Sequence, residues 1–524
     1  MKASDFLVQC LEAEGVEYIF GIPGEENIDL MDSLTRSNIR FILTRHEQAA
    51  AFMADAYGRL TGRPGVCLAT LGPGATNLIT GVANAHLDRS PLLALTGQAS
   101  RMRLHKESHQ NVDTIKQFEG ITKYNQQILH GRIISEVVRK SFQLATMESS
   151  GAVHLQLPED VAQSTIEEAK PLPKPRLAAP LVHPTLLTEA SALITDAKRP
   201  VLLVGNGVIR RRAWDAVKAF VDHTHLPMVN TFMAKGVLPF NHPQNLFTVG
   251  GRPYAEGLRP LQEADLILAI GFDLVEYDPE TWNQDASRRV IHIHETPVET
   301  DRHFPVAVEL VGEIQHTLTE LTKLLRSRVM APEHAAVRER RLAELQSIPS
   351  EAERMPRHVM WTLTSDLPED AILLSDVGLH KLWVSRWFQP KAPGQTIIYN
   401  GLASMGASLP GAIASKLVYP HRPVVVVSGD GGFLMNSQEL ETARRLGLAF
   451  TVIVFNDKTY SLIKKHQEDS HLAVTEIHFT NPNFEEYARS FGIEHRSAHT
   501  PEEFKQHLES AIASNTLNLL EVVL

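Results

Sequence analysis

Two carboxylates in the last quarter of the chain, Asp430 and Asp457, each follow an apolar, β-branched run. Val424-Val425-Val426-Val427-Ser428 runs into Gly429-Asp430-Gly431-Gly432, and Phe450-Thr451-Val452-Ile453-Val454-Phe455 ends at Asn456-Asp457. The first reads as a buried parallel strand entering a tight turn, the second as the next strand of the same β-α-β unit. Both acids then lie just past the carboxyl ends of strands, where open α/β sheets take ligands. Mg2+ favours octahedral oxygen ligands and completes its shell with water and phosphates. Asp430, Asp457 and a backbone carbonyl near Thr459 supply a protein share, while Gly431 and Gly432 let a diphosphate approach the backbone N–H groups of a helix start. Asn436, with Glu439 three residues on, is expected to cap the helix that follows. On residues alone the plainer reading also stands: a Gly-Asp-Gly-Gly turn and an Asn-Asp strand stop are common.

Strands must carry these groups, and the whole chain has the rhythm that builds them. In the first third, Tyr18-Ile19-Phe20, Phe41-Ile42-Leu43, Gly65-Val66-Cys67-Leu68, Leu92-Leu93-Ala94-Leu95 and His154-Leu155-Gln156-Leu157 alternate with helical patterns. A proline-rich stretch from about 170 to 184 reads as a linker. The rhythm returns with Val201-Leu202-Leu203-Val204, Pro227-Met228-Val229, Asp265-Leu266-Ile267-Leu268 and Val290-Ile291-His292-Ile293, and a charged helical linker is expected from about 327 to 357. The last third opens at Ala371-Ile372-Leu373-Leu374 and closes at Leu519-Leu520-Glu521-Val522-Val523. The fold class is therefore α/β, with three doubly wound parallel-sheet domains in series, at 1–165, 185–330 and 355–524.

A length of 524 residues exceeds what one core supports, in keeping with three domains. A net charge of −10 without a long basic run argues against nucleic acid as partner, and Arg210-Arg211-Arg212 reads as a solvated helix face. The two cysteines, Cys10 and Cys67, offer neither a disulfide framework nor zinc spacing. No apolar run approaches the ~20 residues of a membrane span, and the first residues carry no signal-peptide pattern, so a cytoplasmic protein is expected.

Gly429-Asp430-Gly431, with Asn456-Asp457 one helix and one strand later, resembles the metal-diphosphate motif of thiamine-diphosphate enzymes. The resemblance extends over nearly the whole chain. Thr44-Arg45-His46-Glu47 is similar to the helix start at which those enzymes place a glutamate on N1′ of the aminopyrimidine; alone, a glutamate in a first helical turn needs no such role. The resemblance implies Glu47 and Gln110 as catalytic residues. It implies Gly72, Gly74 and Asn77, from Gly72-Pro73-Gly74-Ala75-Thr76-Asn77, beside the pyrimidine. Asp376-Val377-Gly378-Leu379-His380 resembles the diphosphate turn of acetohydroxyacid synthases, with Gly378 and His380 as contacts and Leu379 standing where glutamine is common. Gly401-Leu402-Ala403-Ser404-Met405 is similar to the loop whose bulky residue, here Met405, wedges between the cofactor rings. Leu462 and Ile463 fall where the family lines its cofactor and acceptor pocket.

Within the superfamily the chain most resembles acetolactate synthases of the catabolic, FAD-independent kind, through the segment from Val275 to Asn283. The resemblance implies thiamine diphosphate and Mg2+ as cofactors and no FAD. It implies decarboxylation of pyruvate and transfer of the hydroxyethyl carbanion to a second pyruvate, giving 2-acetolactate and CO2. Active sites shared between subunits are implied too, so a homodimer is the minimum and a homotetramer is expected. Gly205-Asn206-Gly207 lacks the third glycine of a dinucleotide turn, and the central domain is read as Rossmann-like without a nucleotide. His466 stands where biosynthetic synthases carry tryptophan, and Ser461 where glycine is common. The alternative is a non-oxidative 2-oxoacid decarboxylase, in which Glu25 donates a proton and His109 assists.

Overall fold

The computed structural model describes residues 1–524 apart from 168, 176–177 and 251–254; residues 176–177 of the proline-rich stretch therefore lie outside the described residues. Three six-stranded sheets, parallel throughout, follow one another along the chain. The first runs Arg40–Leu43, Tyr18–Gly21, Gly65–Ala69, Leu92–Gln98, Ala152–Pro158, Tyr124–Gln127. The third runs Thr396–Ile398, Ile372–Ser375, Val424–Gly429, Thr451–Asn456, Asn518–Val523, Glu494–Ala498, which is the same order of chain succession. The central sheet has the dinucleotide-fold order instead, with Pro200–Val204 and Leu266–Ile270 at its middle.

Alternation along the strands gives every sheet two apolar faces, as a doubly wound fold requires. In the third sheet Val425, Val427 and Ile453 face one core, while Val424, Val426 and Val452 face another. That second core is not private to the third sheet: Phe20, Cys67 and Ala94 of the first sheet belong to it as well. Apolar runs mark the inner strands. Tyr124–Gln127, Asn245–Thr248, Val306–Val311, Thr396–Ile398 and Glu494–Ala498 are not expected from the sequence pattern, and each lies at a sheet edge.

Two helices bring the outer sheets together. Glu47–Thr61 starts at His46, whose Nδ1 accepts the Gln48 N–H at 3.1 Å, and ends at Gly62 with φ +70. Its buried face is largely alanine, and it packs on Ser408–Val418, which presents Gly411, Ala412 and Ala414. A Cβ at Gly411 would meet the Ala56 Cβ at an ordinary 3.5 Å, but would stand 2.2 Å from Tyr399 Oη and 2.7 Å from Leu374 Cδ2, and it is these two neighbours that favour glycine there. Arg59, at the end of the same face, pairs with Asp55 at 2.8 Å and with Asp88. Asp88 also accepts the backbone N–H groups of Asn400 and Gly401, and its carbonyl oxygen accepts from the Asn206 side chain at 3.3 Å. One buried residue, through its carboxylate and its carbonyl together, thereby ties all three domains.

Removing Asp88 leaves the buried Arg59 charge with one carboxylate partner, Asp55, and frees the Asn400–Gly401 backbone. Asp88→Ala is expected to destabilise the chain by about 3–5 kcal/mol, measured by urea unfolding against the parent protein.

Candidate active site

The outer sheets share a strand order whose direction of winding reverses between the first and third strands, and side chains gather at both reversal points. In the first sheet this point lies past Gly21 and Ala69. Glu47, the first residue of its helix, accepts a hydrogen bond from Asn77 Nδ2 at 3.0 Å. A Cβ at Gly74 would come 3.4 Å from Glu47 Oε1, and one at Gly72 would come 2.6 Å from the Gln110 carbonyl. Glu47, Asn77, Gly72, Gly74 and Gln110 are therefore brought into one group. Thr70 and Glu26, which the sequence motifs do not single out, join it through a 2.5 Å hydrogen bond from Thr70 Oγ1 to Glu26 Oε2. Glu47 is half-buried in the single chain, while Glu25, His109 and Gln110 are exposed.

The second group lies past Ser375 and Gly429, paired strands of the third sheet. Asp376 is fully buried and accepts the Gly406 N–H at 3.0 Å, the Ala407 N–H at 3.3 Å and the Ser428 hydroxyl at 2.9 Å. Burial pushes its carboxyl up to about 6. Gly432 is required beside it, since a Cβ there would stand 2.6 Å from Asp376 Oδ2. His380 is buried against Gly378 and Gly429, and burial pulls its ring down to about 3, so it is neutral. Its Nε2 is buried without a hydrogen-bond partner. An unsatisfied buried ring nitrogen beside two glycines and a helix start fits a phosphate-bearing group that would complete it.

Asp430 and Asp457 are close enough to interact electrostatically. Asp430 accepts from the Gly431 and Lys458 N–H groups and from Asn481 Nδ2, at 2.7–2.8 Å. Asp457 accepts from the Thr459 N–H at 3.1 Å and from the Ser461 hydroxyl. Burial raises the Asp457 carboxyl above its ordinary range, and the neighbouring Asp430 adds to the shift. The Thr459 carbonyl accepts the Ser461 N–H at 2.9 Å, which leaves one lone pair free. Asn481 is a further group that sequence reasoning missed; its Oδ1 is buried without a partner. Among the described residues no group of three or more His, Cys, Asp or Glu side chains has a metal-holding arrangement. A cation here would take its other ligands from amide, backbone, water and phosphate oxygens, a set that suits Mg2+.

The expected capping box is corrected. The helix Asp430–Asn436 begins at the Gly-Asp-Gly turn itself with Gly429 as its cap, so Asn436 is its last residue. Glu439 opens the next helix and turns away from Asn436. Its fully buried carboxylate accepts the N–H groups of Arg45 at 2.9 Å and His46 at 3.1 Å, and burial raises its pKa. It therefore anchors the helix start that carries Glu47, from 394 residues away. Asn436 Nδ2 donates to the Gly406 carbonyl at 2.9 Å and to Gln48 Oε1 at 3.3 Å. Met405, one residue before Gly406, is half-buried. Leu462 lies on Ser461–Asp469, a helix with no buried residue.

In the central domain, Gly205 and Gly207 pack on Gly271, and the Asn206 N–H donates to both oxygens of Glu276 at 2.9 Å. The Thr231 hydroxyl and the Asp273 N–H also donate to Glu276. The chain's own carboxylate thus occupies the turn at which this strand order ordinarily takes a phosphate. Burial and the adjacent Asp273 raise the Glu276 pKa.

Comparison with known sequences covers all three domains. Residues 1–118 match the family described as thiamine pyrophosphate enzyme, N-terminal TPP binding domain, residues 187–321 its central domain, and residues 376–522 its C-terminal TPP binding domain. A probable acetolactate synthase large subunit of Methanocaldococcus jannaschii is 34% identical over 100% of this chain and 92% of its own. An acetolactate synthase of Bacillus subtilis is 34% identical over 99% and 93%, and a catabolic acetolactate synthase of Raoultella terrigena 34% over 93% and 89%.

Asp376 sets a pH dependence. Its folded pKa of about 6 lies above the ordinary 3.8, so the folded chain binds this proton more tightly than the unfolded one. Its contribution is fully present below 3.8 and is lost as pH rises through about 6. Urea unfolding of cofactor-free protein should show Asp376→Asn gaining about 2–3 kcal/mol on the parent between those limits.

Proposed function

The chain belongs to the thiamine pyrophosphate enzymes, and within them to the acetolactate synthase family, and from that premise we propose that it joins two molecules of pyruvate into 2-acetolactate with release of CO2, using thiamine diphosphate and Mg2+ and no flavin. The observation that carries this is the pairing of two half-sites at the reversal points of twin sheets. One presents the Glu47 carboxylate on Asn77 and the other the Asp430–Asp457 acid pair beside His380. Thiamine diphosphate, when bound, supplies a nucleophilic carbon and an electron sink through which a 2-oxoacid loses CO2.

This chain's residues hold and orient. Asp430, Asp457 and the free lone pair of the Thr459 carbonyl hold the metal, and Asn481 Oδ1 is a further oxygen ligand. His380, Gly378, Gly431 and Gly432 receive the diphosphate. Glu47, kept in place by Asn77, shares a proton with the aminopyrimidine ring nitrogen. Gly72 and Gly74 let that ring come close, and Gln110, against Gly72, faces the substrate. Met405 would stand against the bound cofactor rings; Leu462 and Ile463 would line the acceptor site and exclude the protons that would divert the reaction to an aldehyde. The absence of flavin is supported by Glu276, which already fills the phosphate turn of the central domain.

The two half-sites meet across a subunit boundary in a homodimer that pairs into a homotetramer. Leu402, Met435, Tyr460 and Ile463 are exposed apolar groups around the diphosphate half, and the helix carrying Leu462 buries none of its residues, as a surface awaiting a partner does.

Purified protein given pyruvate, thiamine diphosphate and Mg2+ without FAD should form acetolactate as its main product; acetaldehyde as main product, or a need for FAD, would overturn the assignment. Glu47→Gln should lower kcat roughly a hundred- to ten-thousand-fold while cofactor binding, followed by fluorescence, persists. Inactive Glu47→Gln and Asp430→Asn chains, unfolded and refolded together, should regain about a quarter of parent activity if each site draws on two subunits. No recovery would place both halves of the site in one chain.

A further inference from the structure

A cavity of about 310 Å3 opens where the three domains meet. Arg89 lines it from the first domain, Arg210, Arg212 and Trp214 from the central domain, and Tyr419 and Arg422 from the third. In all, six arginines face it and only two carboxylates, those of Asp88 and Glu148. The Arg210-Arg211-Arg212 run is therefore not the uniformly solvated helix face expected from sequence. Arg210 is buried and paired with Glu148 and Asp273, each at 2.9 Å.

Some of these charges are spent within the fold and some are not. Arg59 is matched by Asp55 and Asp88, and Arg211 by Glu295 at 2.6 Å. Arg89 lies 3.7 Å from Asp273, and its Nε is buried without a hydrogen-bond partner. Arg422 donates to the Asp370 carbonyl and stacks on Tyr419 with 4.8 Å to the ring centroid, but pairs with no carboxylate among the described residues. Arg212 makes no side-chain hydrogen bond or ion pair among the described residues. Arg89 and Arg212 both hold left-handed backbone, at φ +58 and +51, which arginine rarely adopts. The surplus is felt nearby: burial, with repulsion from Arg89 and Arg210, brings the Lys123 ammonium down to about 8.

A cavity of this size is far larger than inorganic phosphate needs and lies at the lower end of organic-ligand pockets. Guanidinium groups suit a phosphate, and the apolar wall of Trp214 and Tyr419 suits a flat ring. The cavity touches the phosphate turn of the central domain at Asn206, but the backbone N–H of that turn is already taken by Glu276. We propose that this junction cavity binds an organic phosphate the size of a nucleoside monophosphate, with Arg89, Arg212 and Arg422 on the phosphate and Trp214 and Tyr419 on the ring.

The test is calorimetric titration of the full chain, with thiamine diphosphate and Mg2+ saturating so that the diphosphate site is filled, using adenosine monophosphate and inorganic phosphate as probes. The monophosphate should bind and inorganic phosphate should compete more weakly. Arg212→Glu should weaken monophosphate binding at least about tenfold, with thermal unfolding and pyruvate turnover as in the parent, since the Arg212 side chain has no partner among the described residues. No binding of the monophosphate, or binding that Arg212→Glu leaves unchanged, would overturn the site. Equal affinity for the two probes would overturn the organic half of the assignment.

Discussion

Everything in this molecule depends on how closely two helices approach. Glu47–Thr61 and Ser408–Val418 meet through alanine and glycine, and their contact merges one face of the first sheet with one face of the third into a single core. Small side chains give little apolar area each, yet they let the backbones come close enough for neighbouring large groups to close over them. Phe52 and Tyr399 do so with ring centroids 6.4 Å apart, and Arg59 lies over Tyr399 at 4.8 Å. The same contact fixes the start of the helix, and so the position from which Glu47 is presented.

Around that core distant segments, within and between domains, are joined by a repeated device, a buried carboxylate of one segment receiving backbone N–H groups of another. Asp88 takes those of Asn400 and Gly401, Glu439 those of Arg45 and His46, and Asp376 those of Gly406 and Ala407. Hydrogen bonds to a charged acceptor are stronger than neutral ones, and a backbone donor cannot swing away as a side chain can. The loop from Asn400 to Ala407, which carries Met405, is held in this way at both ends. Its conformation is set by two acids, Asp88 away from both half-sites and Asp376 within the diphosphate half, beside Gly432.

How much of this the sequence discloses follows the physics of each element. The inner strands are visible because a strand buried on both faces must be apolar throughout, as at Val424–Val427. The five strands that escape notice all lie at sheet edges, where a segment such as Tyr124-Asn125-Gln126-Gln127 is only half-buried and needs no continuous apolar run. Groups of the candidate site that sit in a local motif, such as Glu47, Asn77, Asp430 and His380, are legible. Glu439, Glu276 and Asn481 are not, because their roles come from partners 394, 70 and 51 residues away. Asn436 and Glu439 show the converse error: their spacing suits a helix cap, but a glycine turn one helix earlier had already started the helix.

The shared core also constrains how the chain is made. Arg59 and Ile398, in contact across it, are 339 residues apart. At ordinary rates of synthesis the ribosome takes on the order of tens of seconds to bridge that gap. Throughout that interval the first domain is complete in its own hydrogen bonds and its sheet is covered by its own helices, but the outer face of Glu47–Thr61 lacks its partner helix. The central domain, two of whose apolar clusters draw on no residue outside 182–330, closes for the most part by itself, with Phe232 and Phe247 left to the core of the third domain. The nascent first domain therefore exposes an alanine-rich sticky face to every neighbouring polysome, and chaperone occupancy during translation should concentrate on that unfinished surface.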